Sequence, residues 1–189
     1  MAHIPWLKAD VEIVARRLLG CELWATLPGG VARLQIVETE AYHQTDAASH
    51  SYKGKTPRTE VMFGPAGHMY VYFSYGMHFC MNIVTGETGE GSAVLIRAAE
   101  PLDGVELLRA NRPGIADVQL INGPAKLCKA LGVDKTWNGH DLSKPPLKLI
   151  ERPALKLSQV VQTTRIGISQ AKDVPWRFYI KNSPFISKA

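Results

Sequence analysis

The pattern of apolar residues is clearest between positions 67 and 84, where two apolar runs flank a short turn. In the first run the side chains alternate, so that two tyrosines share one face of a strand and two apolar residues share the other. These are Tyr70 and Tyr72 on one face, and Val71 and Phe73 on the opposite face. Gly76 lies in the turn at 74–77 and tolerates the positive φ that a tight turn needs. The pattern predicts a β-hairpin with Tyr75 at or beside its tip.

Two interpretations of this hairpin fit the pattern. Aromatic residues are favoured in strands generally, so the hairpin can be an ordinary core element. Tyr75, however, is a large ring beside a turn glycine, a place where there is often no core to enter. An aromatic ring at a rigid tip is suited to insertion into something flat, such as a stack of bases.

Helices are predicted where apolar residues recur between capping residues. They cover 11–20 after Asp10 as N-cap, a segment that opens at 101–103 with Asp103 and Glu106 as a capping box, and 124–131 before Gly132. Strands are predicted from alternating or continuous apolar runs. They cover 21–27, 31–42, 92–99 with Arg97 closing the apolar run, 165–168 and 176–180. The segments 43–63 and 136–153 lack a sustained period and are predicted to be mainly loop.

The strand at 31–42 carries the first chemical signal. Its even positions change from apolar to polar and end with Glu38, Glu40 and Tyr42. If the strand stays regular, these side chains share one face. Either the strand leaves the core and enters a pocket, or it runs out into solvent, where acids are ordinary. In a pocket, one of the two carboxylates could hold and deprotonate a water molecule.

The long loop at 43–63 contains a histidine and three downstream cations, which are His50, Lys53, Lys55 and Arg58. Long loops of this kind are usually kept for function. The cations are interpreted either as phosphate contacts or as a solvated loop. A lone histidine without a partner at ligand spacing does not predict a metal site.

Arg97 and two lysines give further candidates. A buried unpaired cation is costly, so Arg97 needs either a structural carboxylate or an anionic group of a site as its partner. Lys126 and Lys129 lie near the start of the helix at 124–131, where either an anion site or an ordinary helix surface is expected.

The composition limits the class of protein. The chain has 189 residues, enough for one domain with a sizeable core, and 46% of them are apolar. Its net charge of +5 is compatible with a polyanionic partner without requiring one. Three widely spaced cysteines argue against a disulfide framework or a cysteine-rich zinc site and fit a reducing compartment. Because neither a signal peptide nor a membrane span is recognisable, a soluble intracellular protein is expected.

Several motifs, in order and at matching spacing, resemble the alkyladenine (3-methyladenine) DNA glycosylases. They are ETEAY at 38–42, ASHSYKGKTPR at 48–58, MFGPAGHMYVYFSYGMHFCMNIV at 62–84, VLIRAAEP at 94–101 and NGPAKLCKALG at 122–132. RIGI at 165–168 and WRFYIKNSPFIS at 176–187 continue the match. The resemblance covers nearly the whole chain. The expected fold is a single α+β domain over residues 1–189, with a curved antiparallel sheet, a protruding hairpin, and surrounding helices and long loops.

The resemblance implies a role for each matched residue. Glu40 is implied to be the general base that activates the water attacking C1′, and Arg97 to lie near that water and the backbone of the target nucleotide. Tyr42, His50 and Tyr72 are implied to surround the flipped base, and Asn82 to discriminate against the exocyclic amino group of guanine. Tyr75 is implied to act as a wedge in the duplex, and Tyr70 and Met77 to have supporting roles. Lys53, Lys55, Arg58 and Lys126 are the candidate phosphate contacts.

The chemistry implied is monofunctional hydrolysis of the N-glycosidic bond of 3-methyladenine, 7-methylguanine, hypoxanthine or ethenoadenine in duplex DNA. Such bases are good leaving groups, so a water and one carboxylate suffice, without a lysine nucleophile, strand cleavage, metal or cofactor. We expect a monomer that binds damaged DNA and no membrane, in the cytoplasm or nucleoid if bacterial. Two alternatives are a damage-binding protein that does not cut and a hydrolase of free nucleosides.

Overall fold

The computed structural model describes residues 4–74 and 76–188. Within these ranges, eight strands form one antiparallel sheet and four α-helices accompany it. The strands are β1 Glu22–Leu27, β2 Gly30–His43, β3 Met69–Ser74, β4 His78–Val84, β5 Ser92–Asp103, β6 Leu147–Ile150, β7 Val160–Thr163 and β8 Arg177–Ile180. The helices are α1 Val11–Arg17, α2 Val105–Asn111, α3 Asp117–Leu120 and α4 Pro124–Leu131. The α+β fold expected from the sequence is confirmed.

The long strand β2 lies at the centre of the sheet. On one edge β5 pairs with it from Arg33 to His43. On the other edge β1 pairs with its first part, and β8 pairs with residues 38–40. The register against β5 shifts between residues 36 and 39, so β2 does not alternate regularly there. Glu38 and Glu40 therefore lie where β2 is enclosed between β5 and β8.

The predicted hairpin is confirmed as β3 and β4, which pair from Met69 opposite Ile83 to Ser74 opposite His78. Its base belongs to the core, since Val71 is buried in the main apolar cluster. Its far end projects beyond the core, where Met77 is 69% exposed. Tyr75 lies outside the described residues.

Two helix predictions need correction. Helix α1 ends at Arg17 instead of Gly20, and the Asp10 side chain does not cap it. The N–H of Gly20 instead donates to the carbonyl of Ile36 at 2.9 Å, which ties this segment to β2. Strand β5 continues past Arg97 to Asp103, because β2 still offers it partners there. Helix α2 thus begins only at Val105, and the predicted capping box does not form.

Two strand predictions also need correction. Residues 165–168 form no strand and lie in a loop, whereas the neighbouring strand β7 covers Val160–Thr163. The segment 136–153 is mainly loop, as expected, but contains strand β6. Both strands have four residues and exist by pairing with distant segments, β6 with β1 and β7 with β8. No helix in the described part of the chain has the length and apolar character needed to cross a membrane.

Candidate active site

A cavity of about 480 Å³ lies between the hairpin, the loop at 43–63, the start of α4 and the loop at 166–169. Most of the side chains that the resemblance implies for the reaction line it. They are Tyr42, His50, Tyr70, Tyr72, Asn82 and Arg97. Its volume lies within the range usual for ligand sites in proteins. The structure thus brings together residues that are up to 55 positions apart in the chain.

Glu40 lies directly behind the cavity wall and is 0% exposed. Its Oε2 atom accepts a hydrogen bond from the Tyr42 hydroxyl at 2.8 Å and pairs with Arg97 Nη1 at 3.3 Å. Its Oε1 atom accepts from the backbone N–H of Ile166 at 2.8 Å. The interpretation of the 31–42 strand as running into solvent is therefore wrong. The strand passes beneath the cavity.

Arg97 bridges the two acidic residues of β2. Its Nε atom lies 3.2 Å from Glu38 Oε1, and its Nη1 atom faces Glu40. Burial alone would lower the pKa of the Arg97 guanidinium, but Glu40 and Glu38 together raise it, so Arg97 stays charged. Both interpretations of Arg97 apply, because it has structural carboxylate partners and also lines the cavity.

Aromatic rings form one wall of the cavity. The rings of His50 and Tyr72 meet edge to face with centroids 4.5 Å apart, and Tyr70 and Tyr72 stack at 5.7 Å. Burial raises the pKa of Tyr72, and burial followed by the charge of Glu40 raises that of Tyr42, so both phenols keep their protons. The Tyr42 hydroxyl is therefore the donor in its bond to Glu40.

His50 is neutral at neutral pH. Partial burial, followed by the charge of Arg58, lowers the pKa of its imidazole to about 4. Arg58 Nη2 lies 3.3 Å from His50 Nε2, and His50 Nδ1 lies 3.0 Å from the Tyr70 hydroxyl. Because a guanidinium can only donate, Nε2 accepts and Nδ1 carries the proton. This chain of contacts fixes the orientation of the His50 ring.

The remaining implied residues are placed as follows. Asn82 is buried, and its Nδ2 donates to the backbone carbonyl of Tyr70 at 3.0 Å, which orients the amide at the cavity wall. Lys53 and Lys55 are exposed in the loop beside His50. Lys126 Nζ donates to Asn122 Oδ1 at 2.7 Å. Met77 does not line the cavity but lies at the exposed end of the hairpin.

Several contributors to the site were not identified from the sequence. Arg58 was predicted only as a phosphate contact, but it lines the cavity and has its guanidinium carbon 5.9 Å from the centre of the Tyr72 ring. Arg165 lies 4.8 Å from the centre of the Tyr42 ring and is paired with the buried carboxylate of Asp46. The sequence pattern predicts a strand at Arg165. In the structure this residue instead anchors the loop whose Ile166 N–H donates to Glu40. An arginine within the apolar RIGI motif was the only signal available.

Among residues 4–74 and 76–188, no three His, Cys, Asp or Glu side chains come together in a way that could hold a metal ion.

Comparison with known proteins agrees with the geometry. A family model described as methylpurine-DNA glycosylase (MPG) matches residues 5–184. Among curated relatives provisionally named 3-methyladenine DNA glycosylase, the Carboxydothermus hydrogenoformans protein is 51% identical over 180 residues, 95% of this chain and 94% of the relative. The Nitrosospira multiformis protein is 48% identical, covering 93% and 88%, and the Methanoculleus marisnigri protein is 47% identical, covering 95% and 94%. The resemblance inferred from the motifs is confirmed: the chain belongs to the methylpurine-DNA glycosylase family and is a DNA glycosylase of base excision repair.

Proposed function

We propose that this glycosylase removes alkylated or deaminated purines from double-stranded DNA. The substrates are 3-methyladenine, 7-methylguanine, hypoxanthine and ethenoadenine, and the reaction is hydrolysis of the N-glycosidic bond by a water that Glu40 activates. The cavity supports this proposal, because it joins aromatic rings that can hold a flat base to a buried carboxylate–arginine pair.

The target nucleotide leaves the duplex before the reaction. A base inside a duplex is out of reach of the cavity, and its extrusion costs a few kcal/mol. Tyr75, which follows β3, fills the gap that the nucleotide leaves, and Met77 supports it at the exposed end of the hairpin. A filled gap offsets part of the cost of extrusion.

The aromatic wall binds the extruded base by stacking and, for cationic alkylated purines, by cation–π attraction. His50 adds no positive charge to oppose such a base, because its pKa of about 4 keeps the ring neutral. Arg58 bonds His50 in the free protein and turns to a phosphate when DNA binds. Asn82 discriminates against the binding of guanine through the exocyclic amino group of that base.

The chemical step uses water and one carboxylate. Glu40 is held as an anion partner of Arg97, and Tyr42 and Ile166 fix both of its oxygen atoms. The attacking water lies on the cavity side of this pair, where Glu40 orients it and accepts its proton. No lysine is among the described residues that line the cavity, which supports a hydrolase without a Schiff base or strand cleavage. The enzyme acts as an intracellular monomer.

The test is release of the base from duplex oligonucleotides that each carry one of the four lesions. We expect alkali-labile abasic sites with intact strands before alkali treatment, and no reaction with the corresponding free nucleosides. Binding of lesion DNA without base release would show a damage-binding protein instead. Equal release from free nucleosides would show a nucleoside hydrolase, and strand cleavage without alkali would contradict the monofunctional mechanism.

A further inference from the structure

Four charged side chains form a buried, electrically balanced group behind the cavity. Two are carboxylates of β2, Glu38 and Glu40, and two are the guanidinium groups of Arg97 on β5 and Arg177 on β8. Glu38 Oε1 pairs with Arg97 Nε at 3.2 Å and with Arg177 Nε at 2.7 Å. Placing charges in the interior is costly unless each is paired, so the arrangement depends on all four members.

Glu38 does not line the cavity. The catalytic role proposed for Glu40 does not explain why Glu38 is buried beside it. It nevertheless accepts four hydrogen bonds, and two of them come from one residue near the end of the chain. The Ser187 backbone N–H donates to Glu38 Oε2 at 2.6 Å, and the Ser187 hydroxyl donates to Oε1 at 2.9 Å. The same hydroxyl accepts from Arg97 Nε at 3.3 Å.

These contacts fix the plane of the Arg97 guanidinium. Glu38 and Ser187 hold its Nε edge, which leaves Nη1 to reach Glu40 Oε2 at 3.3 Å. Arg97 thus divides its charge between two carboxylates. If Glu38 lost its charge, Arg97 would have one anionic partner left and would bind Glu40 more completely.

We propose that Glu38 and Ser187 are positioning residues that orient Arg97 and limit its pairing with Glu40. This role rests on the proposed function, since it concerns the carboxylate that activates water. A base that is fully neutralised by an arginine orients and deprotonates water poorly, so the shared arginine keeps Glu40 both ionised and reactive.

Other titratable groups face this cluster from the neighbouring elements. They are Tyr42 on β2, Tyr72 on β3 and Cys80 on β4, and burial raises the pKa of each of them. All three stay protonated around neutral pH.

The test is the pH dependence of single-turnover excision of hypoxanthine by Glu38→Gln. We expect a rate roughly 10 to 100 times lower, as for other misplaced catalytic groups. We also expect the acid limb of the profile to move to lower pH, because Arg97 then stabilises the charge of Glu40 alone. Unfolding of a destabilised variant at acid pH would move the limb to higher pH, which is the opposite direction. Glu22→Gln, which removes another buried carboxylate of the sheet, should leave both rate and limb unchanged.

Ser187→Ala tests the second residue with less risk to folding. We expect a rate about 2 to 10 times lower, because the bonds of the hydroxyl to Glu38 and Arg97 are lost. Ser187→Thr should be close to wild type because it keeps the hydroxyl. Ser183→Ala, in the same tail, should not change the rate. An unmoved acid limb in Glu38→Gln, or a wild-type rate in Ser187→Ala, would overturn the positioning role even where Glu40→Gln is inactive. Activity of Glu40→Gln would instead reject the proposed function.

Discussion

Arginines bind buried carboxylates at two places in the sheet. The two places differ in how much water reaches the arginines. At the start of β1, Glu22 accepts hydrogen bonds from Arg152 Nε at 2.8 Å and from Trp24 Nε1 at 2.7 Å, and it pairs with Arg33. The Arg33 and Arg152 side chains are 37% and 39% exposed. Behind the cavity, the side chains of Arg97 and Arg177 are only 10% and 5% exposed.

The difference distinguishes a structural cluster at the edge of the core from a functional site. Arg33 and Arg152 keep much of their hydration when they bind Glu22, so their pairing carries little desolvation cost. Two arginines and two carboxylates that are almost completely buried add little net stability, because the cost of their desolvation opposes their attraction. A buried group of this kind beside a polar cavity is better explained by use in the reaction. Variants of the Glu22 cluster can therefore serve as controls for variants of the cluster behind the cavity.

The largest contrast is expected between Glu40→Gln and Glu22→Gln. Glu40→Gln should keep lesion binding and lose excision by about 10² to 10⁴ through the missing general base, and by more through poor water positioning. Glu22→Gln should excise like the wild type. Single-turnover kinetics on one lesion measures both. Full excision by Glu40→Gln would transfer the role of base to another residue, with Glu38 the first to examine.

Sequence patterns predicted the region of the cavity better than the region of Glu22. The acidic end of β2 and the aromatic hairpin are local patterns, so their residues could be identified before the fold was known. Local spacing could not choose between Glu38 and Glu40, because both lie at even positions of the same predicted strand. The choice of Glu40 came from the resemblance. Strand β8, which encloses this part of β2, comes from more than 130 positions away in the chain.

The residues and strands that could not be predicted from the sequence depend on contacts between distant segments. Ser187 and Ile166 reach Glu38 and Glu40 across 149 and 126 positions. Neither residue differs locally from other small or apolar loop residues. Strands β6 and β7 were missed for the same reason, since four residues carry too little pattern to be identified without their partners.

A second contrast concerns two aromatic residues, Tyr72 in the wall of the cavity and Trp24 beside Glu22. Tyr72→Leu should weaken binding of lesion DNA by about 5- to 150-fold, because stacking on a base is worth about 1–3 kcal/mol. Trp24→Leu should leave lesion binding unchanged and lower the free energy of unfolding by roughly 1–2 kcal/mol, since it removes a donor to Glu22 and a ring beside Arg33. Fluorescence anisotropy and denaturant unfolding distinguish them. Equal binding losses in both variants would mean that Tyr72 acts only through folding.

The two regions should also lose stability in different pH windows. The pKa of Glu22 is lowered to about 2, first by its hydrogen bond from Arg152, so the unfolded chain binds the proton more readily between about pH 4.5 and 2. The pKa of His50 is lowered to about 4, so the same holds between about pH 6.5 and 4. Stability should therefore fall through both windows as the pH is lowered.

Replacement of each group should remove its own window. Glu22→Gln should flatten the unfolding free energy between pH 4.5 and 2 and cost roughly 1–3 kcal/mol at neutral pH, as for hydrogen bonds to a charged group. His50→Gln should flatten it between pH 6.5 and 4. Denaturant unfolding across the pH range measures both slopes. An unchanged slope in either window would show that the group has the same proton affinity in the folded and unfolded chain.

The smallest effect is expected from single cations near the cavity. Each phosphate that a cation neutralises contributes about −0.9 to the slope of log K against log salt concentration. Lys53→Ala and Lys55→Ala should each reduce that slope by about one and weaken lesion and undamaged DNA alike. Lys148→Ala is the control, because Lys148 lies on β6 opposite Trp24, in the region of Glu22. Arg58 is unsuitable for this test, since its contact with His50 makes its replacement a change to the cavity itself. A slope that is unchanged in Lys53→Ala and Lys55→Ala would show that both lysines are solvated charges.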